Sequence, residues 1–321
     1  MKPLAITIGD VCGVGPEILL RTAASGQLPA GSVAYGDFSA LELCRERLDL
    51  TVPLQKVETP DQASGEGLPV IDYGKLSRGE ITPGLISGPC GAAAVEYVRM
   101  ATLDALAGRV GAIVTLPVNK EASRGAHPDF QGHTEFIADL CGTRRYTMML
   151  ASPKMIVTHV STHVSLAEAI RRVTAERVLE VIELTAGPTE KLRGRARIAV
   201  AGLNPHAGEH GAFGREDMES IEPAVEQARA QGIDAHGPIA PDTLFLKAAK
   251  GDYDAVVCMY HDQGHIPMKL HGFADAVNIT IGLPIIRTSV DHGTAFDIAW
   301  EGKADIANFM TACDMAKDLM A

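Results

Sequence analysis

Short runs rich in valine, isoleucine and alanine alternate with longer amphipathic stretches along the whole chain. The runs have strand length and near-continuous hydrophobicity, as in Ala112–Leu116 and Ala255–Met259. Strands buried on both faces have this composition, and they are typical of parallel sheets covered by helices. Intervening stretches such as Gly91–Leu106 and Leu166–Thr185 have the length and periodicity of helices. The sequence therefore predicts an α/β fold with a largely parallel central sheet.

Length and composition exclude several classes of protein. The chain has 321 residues, of which 46% are hydrophobic and 21% charged, which is typical of a globular protein with a substantial core. The formal net charge of −11 argues against a general nucleic-acid binder, whose phosphate contacts need a basic surface. No stretch approaches the roughly 20 apolar residues that span a bilayer. We expect a single two-lobed catalytic unit over residues 1–321, with lobe boundaries that the sequence does not resolve.

The six cysteines are widely scattered and include no CxxC pair. This pattern is typical of reduced, buried thiols rather than of a disulfide scaffold or a thiolate zinc site. The apolar run at the N-terminus is too short for a signal peptide. Both features predict a cytoplasmic protein.

Histidines lie at or near the ends of three predicted strands: His261, His206, and either His159 or His163. The carboxyl ends of strands are where ligand crevices form in open α/β sheets. Neutral imidazole is the commonest protein ligand for a divalent metal, and three such ligands leave room for substrate oxygens. The pattern predicts a shared catalytic metal site. Spacing does not choose between His159 and His163, because both lie on one face of a continued strand.

Other polar residues form a candidate anion site. His133 and Thr134 precede a predicted helix, where Thr134 would be the N-cap and free N–H groups favour an anion. Lys269, Asn278 and Arg287 suit a carboxylate or a phosphate, and the last two interrupt apolar surroundings. The glycine-rich segment Gly9–Glu17 matches neither GxGxxG nor a P-loop, so it predicts only a tight turn into a helix.

Taken together, these segments resemble the 4-hydroxythreonine-4-phosphate dehydrogenase family of pyridoxal phosphate biosynthesis. The matching pieces follow one another over nearly the whole chain: Gly9–Glu17, Gly132–Glu135, Thr162-His163, Gly202–Glu209, Pro241–Phe245, Tyr260–Gly264 and Val277–Thr294.

The resemblance implies a two-lobed fold like that of isocitrate and isopropylmalate dehydrogenases, with the active site in the cleft between the lobes. It also implies a homodimer with active sites at the subunit interface, and NAD or NADP as cofactor. One divalent metal per subunit would be bound by His163, His206 and His261, and zinc, manganese, cobalt or magnesium would suit such a site. The implied substrate contacts are His133, Thr134, Lys269, Asn278 and Arg287.

The reaction that follows is the metal-dependent oxidation and decarboxylation of a phosphorylated hydroxy acid. We expect 4-hydroxythreonine 4-phosphate as the substrate, with Asp242 and Asp262 as candidate proton-transfer or ligand-orienting residues.

Departures from the family pattern leave other substrates open. Val11-Cys12 stands where the family usually has Pro-Ala, and His265-Ile266-Pro267 resembles a sister group that acts on D-threonate or D-erythronate 4-phosphate. Further alternatives are a dehydrogenase of an aromatic cis-dihydrodiol, such as the terephthalate dihydrodiol, and a three-histidine metal hydrolase.

Overall fold

The computed structural model describes residues 2–63, 67–272 and 276–321. The chain divides into two compact units. The first contains Met1–Arg144 and Leu283–Met320, and the second contains Arg145–Gly282. The second unit is thus an insertion into the sequence of the first. Within the described ranges, no helix combines the length and hydrophobicity that crossing a bilayer requires.

The sheet of the first unit is parallel in every strand pair described. Its strands are β1 (Leu4–Thr7), β2 (Ser32–Gly36), β3 (Leu54–Val57), β4 (Leu68–Asp72), β5 (Ala112–Thr115) and β12 (Ile286–Val290). They lie in the order β3-β4-β2-β1-β5-β12. Strands β1, β2 and β5 are buried throughout, which explains their near-continuous hydrophobicity.

Helices follow most strands of the first unit. They are α1 (Gly15–Ala24), α2 (Phe38–Arg47), α3 (Gly88–Leu106), α4 (Lys120–Ala126), α5 (His133–Leu140) and α11 (Ala307–Met320). Short 3-10 turns occur at Pro60–Gln62, Arg78–Glu80 and Phe296–Ile298.

The second unit has a mixed sheet. Its strands are β6 (Thr147–Ala151), β7 (Ile156–His159), β8 (Ile198–Ala201), β9 (Ala235–Ile239), β10 (Ala255–Cys258) and β11 (Val277–Ile281), in the order β11-β6-β7-β10-β8-β9. Strands β7, β10, β8 and β9 are parallel neighbours, whereas β6 is antiparallel to both β7 and β11. The helices are α6 (Leu166–Arg171), α7 (Ala175–Arg193), α8 (Glu222–Ala230), α9 (Pro241–Ala249) and α10 (His261–Gly272), with a π-helical turn at Asp217–Ile221.

The core of the second unit covers both faces of its sheet. Val257 of β10 belongs to one buried cluster with residues of α7 and α8, and its neighbours Val256 and Cys258 belong to another with residues of α9. Successive side chains of a strand point to opposite faces. Helices therefore bury both faces of β10, and its polar successors emerge only where the strand ends.

The predicted α/β fold with a largely parallel sheet is confirmed. One local expectation is wrong. Helix α5 begins at His133, and its N-cap is Gly132, so Thr134 lies inside the first turn instead of capping it. Gly132 has a φ of 159° and brings the chain close to Lys120 and Glu135.

Candidate active site

His261 is the first residue of α10, directly after the buried strand β10. This junction is tied down by Gln263, whose side chain is buried. Its Oε1 accepts a hydrogen bond from the backbone N–H of Met259 at 2.6 Å, and its Nε2 donates to the carbonyl oxygen of Gly202 at 2.7 Å. Gln263 thus connects the end of β10 to the end of β8, from which the loop with His206 departs.

His261 has the surroundings of a metal ligand. Its Nδ1 lies 2.7 Å from Oδ1 of Asp262. Because a carboxylate only accepts, the proton of the neutral ring lies on Nδ1, which donates this hydrogen bond, and the lone pair of Nε2 is available to a metal. The rings of His261 and His163 have centroids 5.6 Å apart and planes inclined by 46°. Two imidazoles that bind one zinc ion through nitrogens about 2.0–2.1 Å from it must lie close together, and the observed separation is compatible with that arrangement. This pair fits two ligands of the predicted site.

His206, the third predicted ligand, does not form a metal-binding group with His163 and His261. Among the residues described, no three histidine, cysteine, aspartate or glutamate side chains are grouped so as to hold a metal ion. His206 lies in a 3-10 segment, Pro205–Gly211, that is left-handed from His206 to His210. The side chain of His206 is exposed.

The backbone beside His206 is anchored by one buried carboxylate. Asp217 accepts hydrogen bonds from the backbone N–H groups of Leu203, at 2.8 Å, and Asn204, at 3.1 Å. It also accepts one from Nδ2 of Asn204 at 2.9 Å. A fully buried carboxylate with three donors fixes the start of the loop strongly.

His159 has surroundings unlike those of His163. It is fully buried, whereas His163 is exposed. Nε2 of His159 lies so close to Gly264 that a Cβ on that residue would be 2.6 Å away. Burial, and then the neighbouring His265, lower the pKa of His159 to about 3. His159 is therefore packed as a neutral ring behind the first turn of α10, and the choice of His163 as ligand stays a prediction.

A cationic group is buried in the first unit. Arg287 of β12 is 2% exposed, and its Nη2 and Nε donate to Oγ1 of Thr115 at 2.7 and 3.2 Å. Burial lowers its pKa to about 9, and the negative charge of Glu135 opposes this shift. Nε2 of His133 is buried without a hydrogen-bond partner among the residues described. Burial, with the positive charges of Arg287 and Lys120, holds the pKa of His133 well below its usual range.

This arrangement in the first unit suits an anion. A buried guanidinium, a nearby lysine and an imidazole nitrogen with no hydrogen-bond partner in the described part of the chain together offer donors and positive charge. Thr134 lies in the first turn of α5, where the helix dipole favours negative charge.

The remaining predicted residues lie in the second unit. Lys269 is exposed on α10. Asn278 lies in β11, with a buried Oδ1 that has no hydrogen-bond partner among the residues described. Asp242 is exposed in the first turn of α9. Asp262 therefore contacts a predicted metal ligand, His261. Among the contacts described, Asp242 has none with a predicted ligand.

The family described as "Pyridoxal phosphate biosynthetic protein PdxA" matches this sequence over residues 30–316, which is most of the chain. The chain belongs to the PdxA family. A D-threonate 4-phosphate dehydrogenase from Pectobacterium atrosepticum is 44% identical over 325 residues, which cover 99% of either chain. A 4-hydroxythreonine-4-phosphate dehydrogenase from Desulforapulum autotrophicum is 43% identical, with 98% of this chain and 94% of the other covered.

A crystal structure of a 4-hydroxythreonine-4-phosphate dehydrogenase from Klebsiella pneumoniae has the same fold. Its TM-score to this PdxA chain is 0.91 at 42% identity, with coverage of 99% of this chain and 98% of the other. The family predicted from the sequence motifs is confirmed. Since the relatives are named as dehydrogenases, the expectation that the chain belongs to an oxidoreductase family is confirmed as well.

Sequence reasoning missed the residues that support the site. Thr115 and Asp217 act through partners distant in the sequence, and Gln263 has one local partner, Met259, and one distant partner, Gly202. Lys120 had a local signal, because it follows Asn119, an N-cap whose Oδ1 accepts from the N–H of Ala122 at 2.9 Å. Its position after strand β5 is equivalent to that of His261 after β10.

Proposed function

We propose that this PdxA protein catalyses the metal-dependent, NAD- or NADP-linked oxidation and decarboxylation of a phosphorylated four-carbon hydroxy acid. One observation carries the proposal. His261 faces His163 at 5.6 Å between ring centroids, while Asp262 engages the Nδ1 of His261. In a family of dehydrogenases, a histidine pair prepared in this way supports a metal that binds the substrate's hydroxyl.

In this proposal His163, His206 and His261 are the metal ligands. A divalent cation held there would supply Lewis acidity to the substrate's oxygens, and a nicotinamide cofactor would serve as the hydride acceptor. Asp262 keeps the proton of His261 on Nδ1. We assign it this orienting role in place of a proton-transfer role, which stays with Asp242 as a prediction.

In this proposal the anion-binding residues have two separate tasks. His133, Thr134 and Arg287 suit the phosphate, because a buried guanidinium and the positive end of a helix dipole attract phosphate oxygens. Lys269 and Asn278 suit the carboxylate. Anchoring both ends of a small substrate fixes the carbon that loses hydride.

Three phosphorylated acids, of two kinds, are candidate substrates. The first is 4-hydroxythreonine 4-phosphate, for which the relative from Desulforapulum autotrophicum is named. The second is D-threonate 4-phosphate, together with its stereoisomer D-erythronate 4-phosphate. The relative from Pectobacterium atrosepticum supports it, as do His265, Ile266 and Pro267.

We further propose a cytoplasmic homodimer. All six cysteines are free, which supports a reducing compartment. The dimer rests on the family resemblance, and light scattering after gel filtration tests it.

The proposed function is tested by following nicotinamide reduction with NAD and NADP against each of the three phosphorylated acids. Each assay is run with the protein as prepared, after treatment with a chelator, and after metal is restored. We expect activity with one acid, loss on chelation, recovery with metal, and loss in His206→Ala. Activity that persists through both the chelator and this substitution would contradict the metal site.

A further inference from the structure

His265 lies face to face with His261, one helical turn further along α10. The ring centroids are 3.5 Å apart and the planes differ by 10°. Nδ1 of His265 lies 3.0 Å from the backbone carbonyl oxygen of His261. Because a carbonyl oxygen only accepts, Nδ1 of His265 carries the proton and its ring orientation is fixed by this bond. The stack therefore joins a fixed ring to the ring of the proposed metal ligand.

His159 lies behind His265 and closes the stack from the interior. The centroids of these two rings are 4.8 Å apart, and their planes are inclined by 40°. His159 is fully buried at the end of β7, and its Nε2 rests against Gly264. Any side chain at position 264 would displace His159, so glycine is needed there. The order of the rings from core to surface is His159, His265 and His261.

The contact with Asp262 also restrains the ring of His261, but this contact is weak by itself. Asp262, which engages its Nδ1, has a side chain that is 69% exposed. Water competes for an exposed carboxylate, and a single contact at one edge leaves the ring free to rotate. A buried aromatic face removes that freedom, because the alternative rotamers lose the stacked contact.

We propose that His265, backed by His159, is a positioning residue that fixes the ring of His261 for metal binding. The inference rests on the proposed function, in which His261 is a metal ligand. If His265 had only a structural role, any apolar side chain that fills the same space could replace it, and its hydrogen bond to the carbonyl oxygen of His261 would not be needed. The proposed role instead makes metal affinity and ligand geometry depend on the ring at position 265.

The test is a titration of the full-length protein with Co²⁺, after chelator treatment and dialysis. Affinity is measured by competition with a chromophoric chelator, and ligand geometry by the visible absorption of bound Co²⁺. The variants are His265→Ala, which removes both the face and the bond, and His265→Phe, which keeps an aromatic face. The matched control is His271→Ala, an exposed histidine of the same helix. Circular dichroism shows whether each variant is folded.

We expect His265→Ala to bind Co²⁺ about 10- to 100-fold more weakly than the wild type does, because residues that support a metal ligand contribute this much to metal affinity. The visible spectrum of the bound Co²⁺ should change as well. His265→Phe should lie between His265→Ala and the wild type, and His271→Ala should match the wild type. If His265→Ala does not fold, the comparison is made between His265→Phe and His265→Gln. Because phenylalanine keeps an aromatic face and glutamine does not, we expect His265→Phe to bind Co²⁺ more tightly than His265→Gln.

Two results overturn the inference in distinguishable ways. Wild-type affinity and spectrum in every folded variant of His265 would remove the positioning role and leave the proposed metal site intact. Failure of the wild type and His271→Ala to bind Co²⁺ would reject the metal site itself, and the inference with it.

Discussion

Two nitrogens of Arg287 donate to one hydroxyl, with Nη2 2.7 Å and Nε 3.2 Å from Oγ1 of Thr115. The two residues lie on the neighbouring parallel strands β12 and β5. A buried guanidinium without such acceptors would turn towards other polar groups. Thr115 therefore orients the cation that we assign to the substrate's phosphate.

Thr115→Val tests the role of these hydrogen bonds, because valine has nearly the same shape as threonine but no hydroxyl. Hydrogen bonds to charged groups contribute about 1.5–3 kcal/mol, so we expect KM for the phosphorylated substrate to rise roughly 10- to 100-fold. The effect on kcat should be smaller, because the reacting carbon keeps its other contacts. Steady-state kinetics measure both.

The matched control is Thr288→Val. Thr288 is the neighbour of Arg287 in β12, is equally buried, and donates to the carbonyl oxygen of Ala312 at 2.9 Å. It should lower stability and leave KM unchanged. Equal KM values for the two variants would contradict the role of Thr115.

The stability of the protein should depend on pH through Asp10. Burial raises its pKa from 3.8 to about 6, although backbone N–H groups of Cys12 and Asn119 oppose the rise. Because the folded-state pKa is the higher one, this contribution to stability is fully present below pH 3.8 and is lost as the pH rises through about 6. A shift of this size corresponds to about 3 kcal/mol.

Asp10→Asn removes this titration. Relative to the wild type, the variant should gain free energy of unfolding above pH 7, by up to about 3 kcal/mol, and gain little at pH near 4. Urea unfolding at several pH values measures the difference. Asp318→Asn, at an exposed position of α11, serves as the control. A difference for Asp10→Asn that stays constant with pH would rule out this explanation.

Asp217→Asn should loosen the loop of His206. The amide that replaces one carboxylate oxygen is a donor facing donors, so the N–H groups of Leu203 and Asn204 compete for the remaining oxygen. We expect faster hydrogen exchange in residues 203–211 and metal binding weakened about 10- to 100-fold. Glu219→Gln, which removes an exposed ion pair with Arg215, is the control. Unchanged exchange in the loop would show that Asp217 does not anchor it.

Asp262 is tested by comparing two replacements. The side-chain oxygen of asparagine can still accept a hydrogen bond from Nδ1 of His261, so Asp262→Asn should keep kcat/KM within about tenfold, and Asp262→Ala should lower it about 10- to 100-fold. If Asp262 transferred a proton in the reaction, either substitution would instead lower kcat/KM about 10²- to 10⁴-fold. The two variants therefore separate orientation from acid–base catalysis.

Much of the fold was predictable because its strands are buried on both faces and so are nearly uniform in composition. Strand β9 was missed, since its sequence contains Gly237 and Pro238; it lies at the edge of its unit's sheet, where such residues are tolerated. Helix α10 was missed as well. Gly264 and Pro267 interrupt its pattern, and several histidines and an exposed aspartate replace the usual apolar face.

The candidate site was predictable to the extent that its residues follow strands. His163 and His261 lie at or near the ends of β7 and β10, and parallel neighbouring strands bring their ends together. The supporting contacts depend on packing between distant segments, as Thr115 and Arg287 demonstrate. No local pattern encodes such a pair.

We propose that each turnover reduces one nicotinamide and releases one carbon dioxide at a metal-dependent site. The most direct test measures both products together, with the metal-restored protein and the acid that gives activity. We predict equal amounts of reduced nicotinamide and carbon dioxide, and neither product from the chelated protein. Product formed without nicotinamide reduction, as a metal hydrolase would yield, would contradict the claim.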